Sequence, residues 1–259
     1  MTMNKIQDKL LILQNKFSGE IHIDKSIRLM YATDASAYRE LPLAVVYPKN
    51  KTDIRTLIDF AAKNSTSIIP RTAGTSLAGQ VVGNGIIADV SKHMTRILEV
   101  NKNEKWVKVE PGVILDELNI FLREHGLFFG PETSTSNRCM IGGMVGNNAC
   151  GSHSLIYGST RDHTLEIETI LSDGSEVIFG SLTNDEFNTK LNNNTHEGSI
   201  YRNINELLQN ESNKEKIKKE FPDDKLRRRN TGYALDLLLK MQPWTPDGKL
   251  FNFCNLLTG

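Results

Sequence analysis

The sequence predicts an α+β protein built from two small α/β sub-domains, and three observations carry that expectation. An apolar run at 43–47, a periodic segment at 51–63 and a second apolar run at 67–69 spell strand, helix, strand, the pattern of a βαβ unit with a parallel sheet. A second βαβ-like pattern begins at Trp106-Val-Lys-Val-Glu-Pro-Gly112 and runs into a periodic segment at 113–125. Two glycine-rich stretches, 70–80 and 131–158, interrupt these patterns, the first at the carboxyl end of a strand, where open α/β sheets place ligands.

The elements follow in order. At 4–17, Ile6, Leu10, Leu13 and Phe17 recur at helical spacing with Lys5, Asp8 and Lys9 between them. This amphipathic helix is too short to span a bilayer, and no small-residue cleavage site follows it. Packing on the domain is expected; a membrane-surface role is the alternative. The run at 43–47 reads as a buried strand ending at Pro48. The helix at 51–63 has Thr52 as candidate N-cap and Ile54, Leu57, Ile58 and Ala61 as its apolar face. Strands are expected at 67–69, 85–90 and 95–100. The helix at 113–125 runs through Val113, Leu115, Leu118, Phe121 and Leu122 and stops at Gly126.

Strands at 164–171 and 176–179 are joined by Ser172-Asp-Gly-Ser, a hairpin turn, and the alternation of Leu165, Ile167, Thr169 and Leu171 suggests one covered face. Residues 184–198, rich in Asn, Thr and acidic side chains, read as a surface excursion. Helices follow at 200–208 and 214–220. The basic run Lys225-Leu-Arg-Arg-Arg229 has no interleaved aromatic residue for base stacking, so a solvated face or a contact to another domain is favoured over a nucleic-acid patch.

The 259 residues are enough to bury a real core, and their 31 Lys and Arg balance 31 Asp and Glu, so no global field recruits nucleic acid or an anionic membrane. Three widely spaced cysteines, Cys139, Cys150 and Cys254, argue for a reducing, cytoplasmic setting and against a disulfide framework. The six histidines are scattered and no C-x-x-C occurs, so neither a metal site nor an iron–sulfur site is expected in this chain.

The stretch at 131–158 holds Gly142, Gly143, Gly146, Gly151 and Gly158 among mostly small or hydroxylated residues. So little bulk cannot build a core, which points to a ligand approached closely by backbone N–H and C=O groups. A long glycine-rich surface loop is the plain alternative. In Pro70-Arg-Thr-Ala-Gly-Thr-Ser-Leu-Ala-Gly-Gln80, the turn of Gly74, Thr75, Ser76 and Gly79 suits a nest of N–H donors around an anion, with Arg71 adding charge. Gly74 and Gly79 have the spacing of a mononucleotide P-loop, but Gln80 stands where the lysine belongs, and no G-x-G-x-x-G occurs at a strand–helix junction. This is a phosphate loop of another kind.

Arg71-Thr-Ala-Gly-Thr-Ser-Leu-Ala-Gly79, Pro131-Glu-Thr-Ser-Thr-Ser136 and Ile141-Gly-Gly-Met-Val-Gly-Asn-Asn-Ala-Cys-Gly151, in this order, resemble the FAD-binding segments of the FAD-linked oxidases, the vanillyl-alcohol oxidase/p-cresol methylhydroxylase (PCMH) superfamily. Within it the pattern is most similar to the D-2-hydroxyacid dehydrogenases that act on D-lactate, glycolate or D-2-hydroxyglutarate. Arg229-Asn-Thr-Gly-Tyr-Ala-Leu-Asp236 and the end Phe251-Asn-Phe-Cys-Asn-Leu-Leu-Thr-Gly259 resemble the large bacterial members with a downstream iron–sulfur module. The resemblance covers roughly 25–259.

The resemblance implies a PCMH-type FAD-binding domain at 25–259 behind an N-terminal helix at 1–24, with sub-domains at about 25–100 and 101–259 and FAD in the cleft between them. It implies that Pro70, Arg71, Thr72, Ala73, Gly74, Thr75, Ser76, Leu77, Gly79 and Gln80 wrap the pyrophosphate. Pro131, Glu132, Thr133, Ser134, Gly142, Gly143, Gly146, Asn147, Asn148, Ala149, Gly151 and Ser152 would run beside the ribityl chain, the flavin ring and the adenosine, and Tyr157, Gly158 and Ile167 would complete the adenine end. Thr75 stands where some members tether FAD through a histidine, so a non-covalent FAD is implied. The family's substrate-holding arginine, metal-binding histidines and acid/base residues lie in a C-terminal cap domain; none of it is present, so no catalytic residue is assigned and the chain is expected to be a fragment. The implied activity is oxidation of a D-2-hydroxyacid by hydride transfer to flavin. A non-catalytic FAD-binding module and a flavin-free nucleotide or sugar-phosphate binder are the alternatives.

Overall fold

The computed structural model describes residues 3–223, 225–226 and 232–259. The basic run at 225–229 and the phrase at 229–236 therefore lie partly outside the described residues. The chain forms two compact units.

The first unit takes in the described residues up to Phe129 together with Thr133–Met144. Its sheet holds β1 (Glu20–His22), β2 (Ala44–Tyr47), β3 (Ile68–Arg71) and β4 (Ile86–Asp89) in the order β1-β2-β4-β3. Strands β2, β4 and β3 are parallel, with Val45 and Ile69 both in register with Ile87, and β1 closes the edge antiparallel to β2. The two central strands are apolar runs rather than alternating patterns because both faces are covered: Ala44, Val45, Val46, Ile86 and Ile87 have no exposed surface. Helix α1 (Met3–Leu13) seats Leu10 in this core and a 3₁₀ turn, Gln14–Lys16, delivers Phe17 to it, so the N-terminal helix packs on its domain as expected. Helix α2 (Lys25–Met30) is capped by Asp24, which accepts from Ile27 N–H.

Helix α3 (Lys51–Asn64) buries Leu57, Phe60 and Ala61. Its N-cap is Asn50, not Thr52: Asn50 is extended and its Oδ1 accepts from Asp53 N–H at 3.0 Å, whereas Thr52 already lies inside the first turn. The βαβ unit is real, but its crossover skips one place in the sheet, which β4 fills between β2 and β3.

The second βαβ-like pattern does not form one. Its first strand, β6 (Trp106–Val109), pairs antiparallel with the preceding β5 (Ile97–Asn101) across the four-residue turn at 102–105, and among the described residues no later strand pairs with it. Helix α4 (Leu115–Arg123) packs Leu118 and Leu122 with Val113 on this hairpin, and Gly126, at φ +69°, ends the turn beyond it. The hairpin and α4 cluster with the first unit, so the division falls well after residue 100, and β1 belongs to the sheet although it precedes residue 25. Helix α5 (Ile141–Gly146) straddles the division.

The second unit comprises Gly130–Glu132 and Val145–Gly259. It contains the short helix α6 (Ser154–Tyr157), the hairpin β7 (Ile167–Ile170) and β8 (Glu176–Phe179) turned at Gly174, and the pair β9 (Ser181–Leu182) and β10 (Phe251–Asn252). Leu165 precedes the β7 ladder and is exposed, so the covered face begins only at Ile167. Residues 184–192 are a helix, α7 (Asn184–Asn192), not a surface excursion: Thr183 and Glu186 form a capping box and Phe187 is buried. Helices α8 (His196–Gln209), α9 (Glu211–Glu220), α10 (Leu235–Leu239) and α11 (Cys254–Leu257) complete the unit. Its core is aromatic: Phe179, Phe187, Tyr201, Phe251 and Phe253 are all buried, with ring centroids 4.8–6.3 Å apart in edge-on or tilted contacts.

Candidate functional site

In the first unit the candidate site begins where β3 ends. Pro70 and Arg71 complete the strand, and the loop that follows leaves the carboxyl edge of the sheet. Gly74 and Gly79 sit at φ +66° and +73°, the left-handed region that glycine enters without strain. The N–H groups of Ala73, Gly74, Thr75, Ser76 and Leu77 find no acceptor among the described residues. Five consecutive N–H groups thus remain available on a loop that turns through a left-handed glycine. The Ser76 hydroxyl is bonded to Gln80 Oε1 and accepts from Ala78 N–H, so it shapes the loop, while the Leu77 side chain stands in solvent.

The Arg71 guanidinium lies over Gly74, and its hydrogen bonds go to residues outside the loop. Its guanidinium donates to the carbonyls of Thr33 (2.9 Å) and Tyr31 (3.5 Å) and stacks on the Tyr31 ring at 4.9 Å. The Tyr31 phenol donates to buried Asp89 at 2.6 Å, and burial together with that carboxylate raises its pKa above the ordinary tyrosine value.

Thr72 meets the second glycine-rich stretch within the same unit. A β-carbon at Gly143 would lie 2.6 Å from Thr72 Oγ1. Gly142 is glycine for packing, since a β-carbon there would lie 2.5 Å from Pro111, whose carbonyl accepts Gly142 N–H at 2.8 Å. Gly143 is exposed while its neighbour Met144 is buried, and in the second unit Gly146 and Asn147 are exposed. Thr133 bonds Thr135 and Cys139 through its hydroxyl, each at 3.2 Å, and Ser134 is exposed.

The second unit holds the rest. Pro131 is buried; Glu132 pairs with His153 Nδ1 at 2.7 Å and accepts from the Ser152 hydroxyl at 3.4 Å. Gly130 faces the Tyr157 ring, where a β-carbon would lie 2.8 Å from it. Gly158, at φ +81°, leaves room for the Asp162 carboxylate, which accepts from Ser159 N–H at 2.7 Å. Asn148 turns inward: it is buried and its Oδ1 accepts from Arg161 N–H at 2.9 Å, while the Ala149 carbonyl takes two bonds from Thr160. These two residues hold the loop's shape. Gly151 anchors Ser154 through its carbonyl, and Ile167 is half-buried at the start of β7. Thr160 and Arg161 are anchors that the glycine pattern does not point to; Ser159 followed three residues on by Asp162 is the sequence signal that marks their turn.

A family model described as "FAD binding domain" matches residues 42–180. D-2-hydroxyglutarate dehydrogenase of Haemophilus influenzae is 38% identical over 260 residues, which cover 94% of this chain and 23% of that one. Glycolate oxidase subunit GlcD of Bacillus subtilis is 33% identical over 167 residues, 63% of this chain and 36% of that one. Among solved structures, alkyldihydroxyacetonephosphate synthase matches with a TM-score of 0.58 and 20% identity over 65% of this chain and 37% of the other, a likeness of fold. The chain spans about a quarter of the length of the D-2-hydroxyglutarate dehydrogenases it matches. Among the described residues no cluster of His, Cys, Asp and Glu could hold a metal, and no helix is long and apolar enough to cross a membrane.

Proposed function

The chain belongs to the FAD-binding domain family, and on that premise we propose that it holds FAD without a covalent bond, in an enzyme that oxidises a D-2-hydroxyacid to the 2-oxoacid. One observation carries the reading: the five N–H donors of residues 73–77, without an acceptor among the described residues and on a loop turned by left-handed Gly74 and Gly79, would cradle a pyrophosphate. The bare backbone of Gly143 and Gly146 and the residues about Glu132, Ser152, Tyr157 and Gly158 would hold the other parts of the cofactor. Thr75 offers no nucleophilic ring nitrogen, which supports non-covalent binding. Bound FAD supplies the acceptance of a hydride; the protein's part is to bind, orient and exclude water.

The relatives' names support the substrate class, a 2-hydroxyacid. The greater length of those relatives supports a substrate cap and an electron-accepting module, an iron–sulfur module among them, as partners. No disulfide joins the three cysteines, in keeping with a cytoplasmic location.

An absorption spectrum of the chain, taken before and after adding FAD and then acid, tests this reading. A flavin spectrum that moves wholly into the acid supernatant is expected. A chain that takes up no FAD, yet is stabilised by ADP-ribose, would overturn it in favour of a flavin-free nucleotide binder.

A further inference from the structure

Residues 31–40 precede residue 42, where the matched family domain begins, yet they reach both left-handed glycines of the 72–80 loop, Gly79 directly and Gly74 through Arg71. The segment is closed on itself. Thr33 and Arg39 form an antiparallel bridge, Glu40 N–H donates to the Ala32 carbonyl at 2.9 Å, Asp34 accepts from Ser36 N–H at 2.8 Å, and the Ser36 hydroxyl accepts from Tyr38 N–H at 3.1 Å. From this frame the Thr33 carbonyl holds the Arg71 guanidinium, which lies over Gly74: a β-carbon there would come within 2.5 Å of it. At the other end of the loop the Tyr38 ring lies over Gly79, where a β-carbon would come within 2.6 Å. Tyr38, Arg39 and Glu40 line one shallow depression with Ala78, Gly79 and Val82.

We infer that the 31–40 segment is a brace that pre-forms the pyrophosphate loop, with Tyr38 as a positioning residue that touches no ligand. Glycines at positive φ have the widest conformational freedom of any residue, and a loop that must be ordered on binding gives up affinity. A side chain laid on each glycine removes that freedom before the ligand arrives. Arg71 then acts as the link between brace and loop rather than as a phosphate ligand. Its hydrogen bonds to two carbonyls and its stacking on the Tyr31 ring lie in residues 31–33, while the guanidinium covers Gly74.

The test uses Tyr38→Ala and Tyr38→Phe in the full chain with two measurements. The first is the backbone order parameter of the Gly79 amide without ligand; the second is the dissociation constant for FAD from flavin fluorescence. Tyr38→Ala is expected to drop the order parameter from about 0.85 to below about 0.6 and to weaken FAD binding roughly tenfold, while Tyr38→Phe, which keeps the ring, restores both. An unchanged order parameter and unchanged FAD affinity in Tyr38→Ala would overturn the brace. The binding arm rests on the FAD reading and the order-parameter arm does not. A wild-type chain that binds no FAD therefore counts against the cofactor assignment, and the Gly79 amide still decides for or against the brace.

Discussion

Gly143 and Thr72, seventy-one residues apart, meet so closely that a β-carbon on the glycine would lie 2.6 Å from the threonine hydroxyl. The contact joins the two glycine-rich stretches inside one unit and explains why position 143 carries no side chain although it lies in a helix.

Gly143→Ala sets two effects against each other. Helix propensity favours alanine by about 1 kcal/mol, while overpacking against Thr72 costs about 1–3 kcal/mol. Removing the hydroxyl with Thr72→Ala leaves nothing nearer than the Thr72 β-carbon, at 4.0 Å. The alanine should therefore destabilise wild type slightly and stabilise the Thr72→Ala background. A double-mutant cycle by urea unfolding is expected to give a coupling of about 1–2 kcal/mol. Additive effects would mean that the contact carries no energy.

Tyr201 lies at the centre of the aromatic core with no exposed surface, and its hydroxyl has no hydrogen-bond partner among the described residues. Burial, ahead of the Glu197 charge, raises its pKa above the ordinary tyrosine value. Tyr201→Phe removes an unpaired polar group and should be neutral or stabilising by up to about 1 kcal/mol, whereas Tyr201→Ala should cost about 3–5 kcal/mol. Denaturant midpoints of the two variants separate these outcomes, and a loss in Tyr201→Phe would show that the hydroxyl is satisfied in solution.

Glu20 is held at a pKa of about 2, chiefly by its hydrogen bond from Lys92 at 2.6 Å, with His93 and His22 assisting. A carboxylate depressed in the folded state contributes stability above its unfolded value near 4.5, and that contribution fades as pH falls toward 2. The pair is solvent-exposed, so the gain is below about 1 kcal/mol. Wild type should exceed Glu20→Gln in stability at pH 6 and match it near pH 2. A gap that widened on acidification would reverse the sign and refute the assignment.

Much of the site was legible in the residues alone. The apolar run at 43–47 marked a doubly covered strand, because a strand buried on both faces is apolar nearly throughout. Glycine spacing marked both loops, because φ above zero and close backbone approach are local requirements. What local pattern left open was decided by distant partners. The strand at 106–109 pairs back on 97–101, a choice of neighbour rather than of conformation. Residues 184–192 became helix because one buried phenylalanine and a capping box outweigh a polar composition. Asn148 and Arg71 have the chemistry of ligand contacts, yet Asn148 holds the Arg161 turn and Arg71 holds the Thr33 and Tyr31 carbonyls. The sequence by itself determined the FAD-binding family, through short motifs whose backbone demands are met within a few residues. Only the tertiary structure decided which polar side chains serve the loops and which are spent holding them, because a hydrogen-bond donor goes to whichever acceptor the fold brings within 3 Å.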